Sequence, residues 1–73
     1  MALFVTFEGD VTEDLEGRIL GRGNPYGRLA EAVDGEFDAE SNTTKVRFVP
    51  VDMSDQRRVR EDEFGQLWFI PEP

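Results

Sequence analysis

Apolar residues recur along this chain in short runs with a period of two, separated by glycine, proline and acidic residues, the pattern of β-strands joined by turns. The densest run is Gln66-Leu67-Trp68-Phe69-Ile70-Pro71, which holds the only tryptophan. Read as a strand, it sets Leu67 and Phe69 on one face and Trp68 and Ile70 on the other, so both faces require cover. This places the tryptophan strand at the heart of the expected core. At the start of the chain Ala2 to Glu8 is β-prone, with Leu3, Val5 and Phe7 on the face that should meet the core. Thr43 to Val51 is the second strong strand. Val46, Phe48 and Pro50 lie on one of its faces, with Lys45, Arg47 and Val49 on the other, and Pro50 argues for a strand end or a sheet edge.

The remaining runs are weaker. Gly17 to Gly23 has its apolar centre, Ile19-Leu20, between glycines, which suits a short strand that bends or passes close to another backbone. Arg57 to Asp62 leads through Glu63-Phe64-Gly65 into the tryptophan strand and reads as a hairpin with a turn of three to five residues. A helix capped by Ser54 competes with it, but would set arginines ahead of acids, against the helix dipole. Over residues 25–34 the period changes: Tyr26, Leu29, Ala30 and Val33 fall at helical spacing, Asn24-Pro25 suits a helix start, and Gly35 stands where a cap belongs. Asp34-Gly35 is also a hairpin signal. The balance predicts a short helix at about 25–34.

The expected fold is therefore mainly β: a small antiparallel barrel or sheet of about five strands, at 2–8, 17–22, 43–51, 57–62 and 66–71, with that one short helix. Its expected core is Leu3, Val5, Phe7, Ile19, Leu20, Leu29, Val33, Val46, Phe48, Val59, Leu67 and Phe69, and Glu72-Pro73 reads as a short tail. At 73 residues the chain has room for one small acidic domain over 1–73, burying roughly 60% of the surface its unfolded form exposes.

Composition narrows the chemistry. Without cysteine or histidine there is no disulfide framework or thiol nucleophile, and the commonest general base and metal ligand are missing. No carboxylate sits in an apolar run that would split the pKa values of a pair, and the only lysine, Lys45, stands beside Thr44 without further support for a nucleophile. Gly21-Arg22-Gly23 is a fragment of a phosphate loop and no more. Asp10, Glu13, Asp14 and Glu16 offer oxygens to a hard cation but lack the spacing and glycine of a calcium loop, so they read as a solvated acidic loop. A non-enzymatic protein without cofactor or metal is expected. Ala2 to Phe7 is too short, and lacks a preceding Lys or Arg, for a signal peptide or membrane span, so a cytoplasmic location is expected.

Charge separates the functional readings. Sixteen acids against eight bases give a net charge of −8, and the first 44 residues alone hold ten acids and three arginines. Such a field repels nucleic acid and anionic membranes and favours basic partners, although an acidic surface also serves solubility alone. The leading reading is a protein-interaction module that uses Asp10, Glu13, Asp14 and Glu16 with the aromatics Tyr26 and Trp68. Its sharper form is an acidic inhibitor that occupies the basic groove of a nucleic-acid-binding protein. The alternative is a small nucleic-acid-binding barrel whose cationic strand face is Lys45, Arg47, Arg57, Arg58 and Arg60. A structural subunit that forms a homo-oligomer through an edge strand is the third reading.

Overall fold

A computed structural model describes residues 2–71, leaving Met1 and the tail Glu72-Pro73 outside the described residues. It is an all-β protein with six strands: β1 (Leu3–Glu8), β2 (Arg18–Leu20), β3 (Ala30–Asp38), β4 (Thr43–Pro50), β5 (Val59–Glu61) and β6 (Leu67–Phe69). They form one sheet in the order β1-β4-β3-β2-β6-β5, with every neighbouring pair antiparallel.

Two connections in this order are not hairpins. Residues 9–17 carry the chain from the first position in the sheet to the fourth, and residues 51–58 carry it from the second to the last. Each crosses a different face, and each completes a small core. Opposed residues in an antiparallel pair share a face, so Leu3, Val5 and Phe7 lie on the same side as Phe48, Val46 and Thr44. There Ala30, Val46 and Phe48 are buried, and Val11 and Leu15 of the first crossover pack over them. The crossover is fastened by the fully buried Thr44, whose hydroxyl donates to the Gly9 carbonyl at 2.6 Å and accepts the Val11 N–H at 3.0 Å. Gly35 leaves room for this arrangement, since a Cβ there would stand 3.1 Å from Leu15. On the opposite face Ile19, Val51 and Phe69 form the second cluster, with Leu29 and Leu67 against it. The second crossover lays the Arg57 guanidinium 3.9 Å from the centre of the Phe69 ring and holds it there through Asp55 and Glu31.

The helix expected at about 25–34 is not formed; Ala30–Asp38 is instead the nine-residue strand β3. The helix formers of this segment lose to pairing on both sides, with β4 along the whole strand and with β2 at Ala30 and Glu31, which buries Ala30 completely. Asn24 does not cap a helix. Its amide donates to the carbonyls of Gly21 and Arg28 and its oxygen accepts the Tyr26 N–H, so it closes a loop. Gly27, with φ +72°, turns the backbone out of any helical path.

Asp34-Gly35, the alternative hairpin signal, lies inside β3. The turn that joins β3 to β4 falls at residues 39–42, where Asn42 adopts φ 55°. A bulge at Val33 sets two residues opposite Arg47 and reverses the alternation beyond it, so that Asp34 and Glu36 face outward beside Arg47 and Lys45. Val33 follows the core-facing Ala30 and Ala32 on the outer side of β3 and is 47% exposed, and Val59, on the short edge strand β5, is 40% exposed, so neither joins the core. Val59 alternates with polar neighbours, and its strand's place at the edge of the sheet exposes it.

Phe48→Ala is expected to lower stability by about 3–5 kcal/mol, whereas Val33→Ala and Val59→Ala should each change it by under about 1 kcal/mol. Urea midpoints of the three variants measure this, and a Val33→Ala loss as large as that of Phe48→Ala would contradict the bulged register.

Candidate functional site

The β5–β6 hairpin supplies one wall of an open groove. Its turn closes when Gly65, at φ +80°, donates to the Asp62 carbonyl at 3.1 Å and Asp62 donates to the Gln66 carbonyl at 2.9 Å. A side chain at Gly65 would be strained, so the turn requires glycine there. The Asp62 carboxylate organises the rest. Oδ1 accepts the N–H groups of Phe64 and Gln66, each at 2.9 Å, and Oδ2 accepts the indole N–H of Trp68 at 2.8 Å. The Trp68 bond, and after it the Gln66 and Phe64 bonds, hold this carboxyl below the usual carboxylate range. The same turn leaves Phe64 79% exposed at its tip.

Trp68 stands directly opposite Arg18 of β2 on one side and Arg60 of β5 on the other. Both guanidiniums approach its ring, Arg18 at 4.4 Å and Arg60 at 5.7 Å from the centre, and Arg18 also lies 4.7 Å from the centre of the Phe7 ring. Arg18 is only 6% exposed and forms no ion pair among the described residues. Its Nε donates to the Asp14 carbonyl at 3.1 Å and its Nη1 to Gln66 Oε1 at 3.2 Å. Burial draws its pKa down, opposed by the fields of Asp14 and Asp62.

These contacts draw the first crossover and the hairpin together. Glu13, Asp14 and Glu16 from the crossover face Asp62, Phe64, Gln66 and Trp68 from the hairpin, with Arg18 and Arg60 between them. Three acids and the tryptophan expected to mark an interaction surface therefore share one groove. Asp10 stands outside it, bound to the hydroxyl and N–H of Thr12 at 2.6 and 3.0 Å. Tyr26 also lies elsewhere, packed against the Ala30, Val46 and Phe48 cluster with its hydroxyl donating to the Phe48 carbonyl.

The expected cationic strand face is dispersed. Arg47 is bound to Asp34 at 2.7 Å, Arg57 to Asp55 at 2.6 Å and Glu31 at 3.0 Å, and Lys45 covers the Phe4 ring at 4.6 Å. Arg60 shares the opposite face of the sheet with Trp68, and Arg58 lies exposed in the segment before β5. Sequence reasoning missed Phe64, Asp62 and Arg18 as groove residues. An acid three residues before a turn glycine was a usable signal for Asp62 and for the exposure of Phe64, but nothing along the chain marks Arg18 as buried.

Five aspartates serve turns in one way. Asp10, Asp38, Asp52, Asp55 and Asp62 each accept the backbone N–H two residues on, at 2.8–3.0 Å. Asp10 and Asp52 are held below the usual carboxylate range by Thr12 and Ser54, and Asp55 by Arg57. Glu13 and Glu16 have no such employment and carry no intramolecular ion pair or hydrogen bond among the described residues. No group of three or more acids among the described residues is placed to hold a metal ion, and no helix there is long and apolar enough to cross a membrane.

Fold and groove together define a class: a small antiparallel β protein with a crossover on each face and an acidic, aromatic groove at one end. No protein-family model, curated protein or solved structure matches the chain.

Carboxyls depressed in the folded state favour folding above their unfolded value near pH ~4 and lose that advantage as pH falls through their folded values. Stability should therefore be constant from neutral pH down to about 4 and decline below it, with Trp68 emission following the Asp62 contact. In Asp62→Asn the emission step should vanish while the global decline remains. An unchanged emission step in that variant would assign it to another group.

Proposed function

We propose that the protein is a non-enzymatic interaction module whose groove receives a basic segment of a protein partner. The observation that carries this reading is the convergence of Glu13, Asp14, Glu16 and Asp62 with the exposed Phe64 and the half-buried Trp68 in one open groove. Carboxylates around exposed aromatic rings suit arginine and lysine side chains, whose cations meet the acids while their stems lie on the rings. Glu13 and Glu16 have charges that no ion pair among the described residues neutralises, and a cation brought by a partner would offset their desolvation.

In its sharper form the partner is a nucleic-acid-binding protein, and this acidic end occupies the groove that phosphates otherwise fill. Support comes from the net charge of −8 and its concentration in the first 44 residues, which steer association toward a cationic surface. Direct binding of nucleic acid draws no comparable support, because Arg47 and Arg57 are already engaged by carboxylates and Arg60 lies on the other face of the sheet from Lys45 and Arg47.

Capture from nuclease-treated native lysate, comparing the wild type with Glu13→Lys/Glu16→Lys and with Phe64→Ala, tests the reading. Among the described residues none of the three side chains makes a hydrogen bond or ion pair, so the variants should fold. The expected result is a nuclease-resistant basic partner whose association is slowed by charge reversal by roughly tenfold or more at low salt. A partner retained equally by both variants, or recovery of nucleic acid that nuclease abolishes, would overturn it.

A further inference from the structure

We infer that β1 is a dimerisation edge: two copies pair antiparallel through Phe4, Thr6 and Glu8 into one continuous sheet. β1 ends the sheet, and among the described residues it pairs with β4 alone. Gly9 donates to the Asn42 carbonyl at 2.7 Å, one step beyond the Glu8–Thr43 pair. In an antiparallel ladder bonded residues alternate, so Leu3, Val5 and Phe7 exchange bonds with β4. Phe4, Thr6 and Glu8 turn both N–H and C=O outward, where nothing among the described residues meets them.

The other exposed edges are protected in ways this one is not. β5 has three residues, two of them Arg60 and Glu61, with Arg58 just before it. The part of β3 that extends past β2 follows a bulge and carries Asp34, Glu36 and Asp38. Short length, charge and bulges are the usual devices that keep a sheet edge from pairing. β1 is six residues of Leu-Phe-Val-Thr-Phe-Glu, without lysine, arginine, proline, glycine or bulge. Phe4, on the outward face beside this edge, is 51% exposed.

The edge is complementary to itself. With a two-fold axis at Thr6, Thr6 faces Thr6 of the second copy and Phe4 faces its Glu8, so every outward N–H and C=O of the three residues finds a partner. Glu8 then lies beside the Phe4 ring that Lys45 of the second copy covers, bringing a carboxylate to an ammonium across the junction. Antiparallel pairing also sends the two acidic crossovers, which begin immediately after β1, to opposite ends of the joined sheet. Repulsion between two copies of net charge −8 still opposes association, so the dimer should strengthen as salt is raised. The groove takes no part in this contact, so loss of the dimer and loss of the basic partner are separate results.

Sedimentation velocity of the full chain over a wide concentration range, at low and high salt, tests the inference. The wild type is expected to pass from monomer to dimer with concentration, at lower concentration in high salt. Thr6→Pro removes an outward donor without touching the bonds to β4 and should abolish the dimer while circular dichroism stays native. Glu8→Lys should weaken the dimer by about tenfold or more and Glu8→Lys/Lys45→Glu should restore it. This pair decides the matter where Thr6→Pro fails to fold. Hydrogen exchange should show protection rising with concentration at the Phe4, Thr6 and Glu8 amides, with Val5 and Phe7 protected throughout. A wild type that stays monomeric at every salt and concentration overturns the inference. So does a dimer unaffected by Glu8→Lys and without added protection at those three amides.

Discussion

A buried guanidinium holds the two ends of this sheet together. Arg18 lies between the rings of Phe7 and Trp68, which belong to the first and fifth strands of the row, so the sheet must coil far enough to bring them to one cation. Removing that charge from water is costly, and no carboxylate among the described residues pairs with it directly. Two aromatic faces, each worth about 1–2 kcal/mol to a desolvated cation, a carbonyl and an amide oxygen compensate in its place. The carbonyl belongs to Asp14 of the first crossover and the amide to Gln66 beside the hairpin turn. The side chain that closes the sheet therefore also sets the width of the groove between crossover and hairpin.

The acidic surplus divides by residue type. Aspartate, with its short side chain, reaches the backbone N–H two residues on, and five aspartates close turns in that way. Glutamate is one methylene too long for this geometry. Glu13 and Glu16 accordingly stand free at the groove, and Glu31, on a strand, reaches across to Arg57. Much of the charge that colours the composition is thus a means of making turns in a chain whose strands are short. Glu13 and Glu16, which close no turn, sit together at one end, beside the exposed Phe64.

Cores on both faces of one sheet follow from the connections. A six-stranded antiparallel sheet of this size has two faces to cover and no helix among its described residues to cover them. The first crossover covers the face of β1, β4 and β3, and the second covers the face of β3, β2 and β6. Each uses few apolar residues and anchors itself through polar ones, Thr44 under the first and Arg57 over the second. Coverage is incomplete elsewhere, and the outer side of β1 and β4 stays open with Phe4 and Lys45 upon it.

Local pattern was enough to establish the β class, the strands at β1, β4 and β6, the β5–β6 hairpin and most of the core. In each of these, alternation with period two or an acid-rich turn ending in glycine is a property of neighbouring residues. The segment 25–34 was misread because its helical spacing and good helix formers are equally local, whereas the pairing of β3 with β4 and β2 that overrides them lies between residues distant along the chain. Val33 left the core for the same reason, since pairing with β4 turns Ala30 and Ala32 inward and Val33 outward. The acids and Trp68 were visible as candidates, but their meeting with Phe64 depends on a crossover folding back over the sheet. Burial of Arg18 between two rings was invisible in sequence, because an arginine between Gly17 and Ile19 looks the same whether its neighbours in space are water or Phe7 and Trp68. Periodicity and turn chemistry act over a few residues and were written in the sequence; register, bulge, edge and groove are relations between distant segments, and only the tertiary structure decided them.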